Sequence, residues 1–165
     1  MGSYSVRGGI IEKVIERIDY STKLSKFTMY RVPDRTGLAA DIFMSLGQHG
    51  INVELISTSS AGHKHNNISF AIIESDVDEV LKLLETIKDK FGAEKVGVDR
   101  NCALITMYGA NLSTTPGIAG KIFAKLAEQG INIEMISASL SVLSIVVNKE
   151  KMEKAVKIIR THFTQ

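Results

Sequence analysis

The chain has 165 residues, 20 Lys and Arg against 18 Asp and Glu, and a formal net charge of +2. No basic block stands out, which argues against a nucleic-acid footprint, and no run of about 18 apolar residues offers a membrane span. The one cysteine, Cys102, permits no internal disulfide and reads as a small strand residue in a reducing compartment. A cytoplasmic protein with neither a nucleic-acid nor a membrane partner is expected.

Residues 1–9, MGSYSVRGG, lack the apolar centre of a signal peptide and are expected to form a tail. Ile10–Tyr20 is dense in β-branched residues and predicts a strand, with a turn over Asp19–Leu24. Leu24–Val32 predicts a second strand, with Phe27, Met29 and Arg31 opposite Thr28, Tyr30 and Val32. Pro33–Gly37 is a loop. Leu38, Ile42, Phe43 and Leu46 then recur at helical spacing, and Gly50 marks the stop. A strand follows from Asn52, then an exposed turn-rich stretch over Ser59–Asn67 and an apolar strand over Ile68–Ile73. Ser75 with Asp78 reads as a helix N-cap. Val77, Val80, Leu84, Ile87 and Phe91 give that helix its stripe, Gly92 follows it, and Lys95–Asp99 is a short closing strand.

The order then recurs. Gly37–Ser59, GLAADIFMSLGQHGINVELISTS, matches Gly117–Ser139, GIAGKIFAKLAEQGINIEMISAS, at an offset of about 80 residues. The second copy has strand Ala103–Tyr108, loop Gly109–Pro116, a helix from Gly117, strands Ile131–Ser137 and Val142–Val147, and a last helix capped by Asn148. Each copy is β-α-β-β-α-β, a ferredoxin-like α+β unit, but the second lacks its final strand. The economical solution uses Ile10–Tyr20 for it. The first unit, 24–100, is then inserted into the second, 10–20 plus 101–165. A strand borrowed from another chain is the alternative.

No nucleophile–base set, phosphate loop or metal-ligand spacing is present, so the chain reads as non-catalytic, without cofactor or metal. His63-Lys64-His65 reads as a solvated loop. The informative pattern is the loop before each first helix, together with the strand start after it. In the first unit these are Asp34, Thr36, Gly37, Leu38 and Ala39, with Asn52, Val53 and Glu54. In the second they are Thr115, Pro116, Gly117, Ile118 and Ala119, with Asn132, Ile133 and Glu134. Unpaired N–H groups at a helix start attract a carboxylate, and a nearby carboxylate or amide can hold an ammonium. Together they suit a free α-amino acid. Ordinary helix-start chemistry, with Pro116 at the first helical position, is the other reading.

The motifs VPDRTGLAADIF, GINVELISTS, NNISF, TTPGIAGKIF, GINIEMISAS and LSIVV resemble the tandem ACT domains of the aspartokinase regulatory region. The resemblance spans Val14 to Phe163 and implies the same inserted arrangement. It implies feedback binding of an amino acid, threonine or lysine, at domain interfaces, with Asp34–Ala39 and Asn52–Glu54 closed by Asn132, Ile133 and Glu134. It also implies a partner aspartokinase catalytic chain, and small units with open edge strands predict a homodimer. Thr36 stands at the family's usual Pro, Glu54 at its Asp, and Leu140 and Val142 at a Glu and a Lys. A module of the same fold that dimerises without a ligand is the alternative function.

Overall fold

Burial in the computed structural model, which describes residues 13–73 and 77–164, follows the repeat. Helix α1 (Leu38–Gln48) buries Leu38, Ile42 and Leu46; helix α3 (Ile118–Ala127) buries Ile118, Ile122 and Leu126. Apolar residues every fourth position make one stripe, and that stripe packs on a sheet. Both helices stop the same way: Ile51 N donates to Leu46 O and Ile131 N to Leu126 O, each at 3.1 Å.

Six strands supply the sheet positions. They are β1 (Arg17–Pro33), β2 (Leu55–Gly62), β3 (His65–Ile73), β4 (Lys95–Tyr108), β5 (Ile133–Ala138) and β6 (Val142–Asn148), in the order β2-β3-β1-β4-β6-β5. Helix α2 (Val77–Phe91) follows β3, and α4 (Met152–Phe163) follows β6. The chain forms two compact units, one of residues 21–73 with 77–103, the other of 13–20 with 104–164. The first is therefore inserted into the second. It is ordered β2-β3-β1-β4, and the second β5-β6-β4-β1, so each is a ferredoxin-like β-α-β-β-α-β unit in an α+β fold.

The first unit's core gathers Phe27, Met29, Ile42, Leu46, Phe70 and Leu84, all fully buried. Phe27 stacks on Phe70 at 5.8 Å between ring centres, and Phe43 meets Phe70 edge-on at 5.6 Å. Where β1 and β3 oppose each other, Thr28 Oγ1 and Ser69 Oγ share a hydrogen bond of 2.9 Å. The second unit repeats this pair with Thr106 and Ser144, at 3.3 Å. In the second unit Ile15 N donates to Phe163 O and Glu16 N to Tyr108 O, at 2.9 and 2.8 Å. Residues 14–16 thus run beside the end of β4, with Ile15 fully buried.

Several expectations are corrected. No turn breaks Asp19–Leu24, because β1 is one strand of 17 residues; the stretch contains no Gly, Pro or Asn to reverse it, and Lys23 N donates to Ser21 Oγ within the strand. Lys95–Asp99 and Ala103–Tyr108 likewise fuse into β4, with Asp99 Oδ1 accepting from Asn101 N inside the strand. Ser59–Asn67 is strand rather than loop, except for a tight two-residue turn at His63 and Lys64, whose φ values are 50 and 59°, entered from Gly62 at 75°. β2 begins at Leu55, not Asn52, and β5 at Ile133, not Ile131. Asn148 Oδ1 accepts from Glu150 N, but it caps a short 3-10 turn, Lys149–Lys151, that leads into α4. The cap at Ser75, residues 10–12 of the first strand and the tail 1–9 lie outside the described residues.

Candidate functional site

Both candidate loops reach their helices through a left-handed glycine. Gly37 has φ 87° and Gly117 φ 76°, and neither helix start has a side-chain cap. That backbone region disfavours any residue with a Cβ, which explains glycine here in both repeats. The bonds also repeat: Leu38 N to Arg35 O and Ile118 N to Thr115 O at 3.3 Å, then Asp41 N to Gly37 O and Lys121 N to Gly117 O at 3.0 Å. Helix geometry gives the N–H groups of the second and third helical residues no partner within the helix. They belong to Ala39 and Ala40 in the first unit and to Ala119 and Gly120 in the second. Pro116 lies before the glycine cap and is not the first helical residue.

In the first unit Asp34, Thr36, Gly37 and Ala39 are exposed, and Leu38 turns into the core. Asp34 N donates to Lys64 O at 2.8 Å, which ties the loop to the β2–β3 turn. Arg35 Nη2 pairs with Asp41 Oδ2 at 2.8 Å, so part of the local charge is already matched. In the second unit the loop is longer and carries hydroxyls. Leu112 is buried, Thr115 is half-buried with its N–H on Asn111 O, and Ala110 N donates to Glu16 Oε1. α3 has no acid in its first turn, whereas α1 has Asp41.

The strand starts are placed otherwise than expected. Asn52 and Glu54 are exposed, Val53 packs on the core, and Glu54 N donates to Ala71 O at 2.8 Å. Ladder register puts Leu55 level with Ala71 and Lys26, whereas Pro33 is level with His65 and Gly62. Seven residues of strand separate these levels, roughly 23 Å. Asp34–Ala39 and Asn52–Glu54 therefore lie at opposite ends of their own unit and cannot hold one amino acid together within it. The cause is the crossover: α1 carries the chain back down the sheet before β2 begins. The second unit is built alike. Gly109 N reaches Ser141 O at the β5–β6 turn, while Ile133 opposes Val147 at the other end of that hairpin. Asn132 is exposed there, with Ile133 and Glu134 half-buried.

Sequence reading also passed over Arg31. It was expected on the core face with Phe27 and Met29, but the β1–β3 register shifts between Met29 and Val32 and Arg31 takes φ 51°. The repeat carried the signal: Thr28-Met29-Tyr30-Arg31 aligns with Thr106-Met107-Tyr108-Gly109, an arginine where the other copy has glycine.

Two ferredoxin-like units with glycine-capped helix starts at matching positions define a tandem-repeat α+β fold. The chain belongs to the ACT domain family, whose pattern it matches over residues 31–87 and 105–163. It is 30% identical over 150 residues to aspartokinase 2 of Bacillus subtilis, covering 91% of this chain and 36% of that relative. Its fold is similar to the ligand-free regulatory subunit of aspartate kinase from Thermus thermophilus, with TM-score 0.84 and 26% identity over 92% of this chain and 99% of that one. A structure of aspartokinase alpha and beta subunits gives TM-score 0.83 at 27% identity, covering 90% and 97%. The chain thus spans about a third of the length of the curated aspartokinases it resembles, 36% of the Bacillus protein.

Proposed function

We propose that the chain is a non-catalytic, cytoplasmic regulatory module that binds a free α-amino acid, threonine or lysine, and transmits its presence to an aspartokinase catalytic chain. The observation that supports this most is the repetition of an uncapped, glycine-entered helix start in both units. The N–H groups of Ala39 and Ala40 receive the ligand carboxylate, and Asp34 receives its ammonium, with Thr36, Gly37 and Leu38 shaping the loop. Thr115–Ala119 is the corresponding second site. Each charge needs a partner once covered, because an unpaired buried charge is costly. The remaining wall comes from a second copy of the chain, through the strand starts Asn52–Glu54 or Asn132–Glu134. A ligand held between copies favours the assembled arrangement, and that differential affinity is the signal.

Homodimer formation has its own support. β2 and β5 are the outermost strands of the order, and each exposes an isoleucine at the matching position, Ile56 at 52% and Ile136 at 50%. The second reading, dimerisation without a ligand, is favoured by Leu140, 78% exposed where the resembled family carries a charge. A thermal-shift screen of the twenty amino acids separates the two readings, since a ligand of the native state raises its stability by mass action. A rise with threonine or lysine supports sensing; no rise with any amino acid leaves only the dimerisation reading. A monomer by light scattering at micromolar concentration, with and without amino acids, refutes both.

A further inference from the structure

Arg31 stands three residues before the candidate loop with a backbone angle that a side chain disfavours, φ 51°. Such a residue persists where its surroundings over-determine it. Here its N–H donates to Asn67 Oδ1 at 3.0 Å, its Nη1 to Ala61 O at 2.9 Å, and its Nε lies 3.1 Å from Glu94 Oε2. Glu94 N in turn donates to Tyr30 O at 2.9 Å. The side chain therefore joins the end of β2 to the segment after α2, while the backbone N–H of the same residue holds the strand β3. The turn held this way, Gly62–Lys64, is the one whose Lys64 carbonyl receives Asp34 N. At the aligned position the second unit has Gly109, which offers only its backbone N–H to Ser141 O.

We propose that Arg31 is a positioning residue: it clips the β2–β3 turn to the end of β1 and so holds loop Asp34–Ala39 in one preformed geometry, a device the second unit lacks. The clip stands on geometry alone; its consequence for a ligand rests on the amino-acid reading above. A preformed loop loses less freedom on binding, so the first unit's loop is the tighter of the two.

The test uses the full chain. Arg31→Gly suits the left-handed backbone and keeps the N–H bond to Asn67, while removing the side chain that reaches Ala61 and Glu94. Amide exchange of Asp34 should quicken by about tenfold or more, while the Ile42 and Leu46 amides of α1 and the melting temperature hold. Arg31→Lys, which offers one ammonium in place of the fork, should fall between. Unchanged exchange at Asp34, or equal acceleration at Ile42 and Leu46, overturns the proposal. Calorimetry with threonine and lysine is the second arm: affinity should fall by about tenfold in Arg31→Gly, and full affinity beside a loosened loop overturns the positioning role. If the wild type binds neither amino acid, the sensing reading fails, and the exchange arm by itself still decides the clip.

Discussion

Gly109→Ala tests how the second unit is closed. A Cβ at Gly109 would lie 2.1 Å from Val14 O and 3.2 Å from Val14 C, and both are backbone atoms that no rotamer change can move. Two responses are open. The unit can absorb the methyl by strain, which for an added core group costs about 1–3 kcal/mol. Alternatively residues 14–16 can detach. That forfeits the bonds from Ile15 N and Glu16 N, about 1 kcal/mol each. It also uncovers Val14 and Ile15, buried at 9% and 0% exposure, about 2 kcal/mol each. Detachment therefore costs about 6 kcal/mol, and strain is the cheaper response. Urea unfolding should show a loss of about 2–3 kcal/mol, toward the upper end of that range because the obstacle is main chain. Gly47→Ala and Gly120→Ala are controls of opposite sign. Both sites are helical with nothing within 4 Å of the new Cβ, so each should gain about 0.5–1 kcal/mol. If Gly109→Ala is as stable as the wild type and keeps the Glu16 amide protected, the placement of residues 14–16 is wrong.

Asp34→Ala should weaken amino-acid binding by about 1–3 kcal/mol by calorimetry, the scale of a charge-assisted hydrogen bond. Lys64→Ala should do little, because only the Lys64 carbonyl is used; tight binding retained in Asp34→Ala would place the ligand elsewhere. Thr28→Val leaves the Ser69 hydroxyl without its partner and should cost about 1–2 kcal/mol in urea unfolding, with part of the loss recovered in Thr28→Val/Ser69→Ala; strictly additive losses would mean the pair is uncoupled. The hydrogen bond and charge of Arg100 hold the Asp78 carboxyl below its ordinary 3.8. The folded state thus takes up that proton less readily than the unfolded one. Its contribution is present above 3.8 and disappears as pH falls through the folded value, so Arg100→Gln should flatten that part of the acid-unfolding profile. A profile unchanged in Arg100→Gln would deny the pair any part in folding.

Much of the fold was legible because the repeat shows twice what each segment prefers. The stripes Leu38–Ile42–Leu46 and Ile118–Ile122–Leu126, and the glycines before and after them, are local signals that survive tertiary packing. The missing strand of the second unit was a counting argument, and it gave the insertion. What misled was polarity. Asp19–Leu24 and Ser59–Asn67 read as turns because they are largely polar, yet a strand with one solvated face is polar too. Direction misled the site in a different way. Asp34–Ala39 and Asn52–Glu54 are close in sequence pattern, and a right-handed crossover necessarily begins its second strand at the far end of the sheet from the loop that starts the helix. That rule was available from the element order. Arg31 was not legible as a clip, because its partners Ala61, Asn67 and Glu94 carry no motif and meet it only through a shift in strand register.

The insertion also has a consequence during synthesis. Residues 13–20 leave the ribosome well before the segments they pair with, 104–108 and 163–164. The inserted unit, by contrast, has all its strands once residue 103 has emerged, and can fold while translation continues. The nascent chain then carries Val14 and Ile15 without their folded cover until β4 and α4 have both been released. Because closure of the second unit joins segments far apart in sequence, Ile15 to Phe163, it should be the slow step of refolding, and the interval before it is when a chaperone or a second nascent copy has access to that segment.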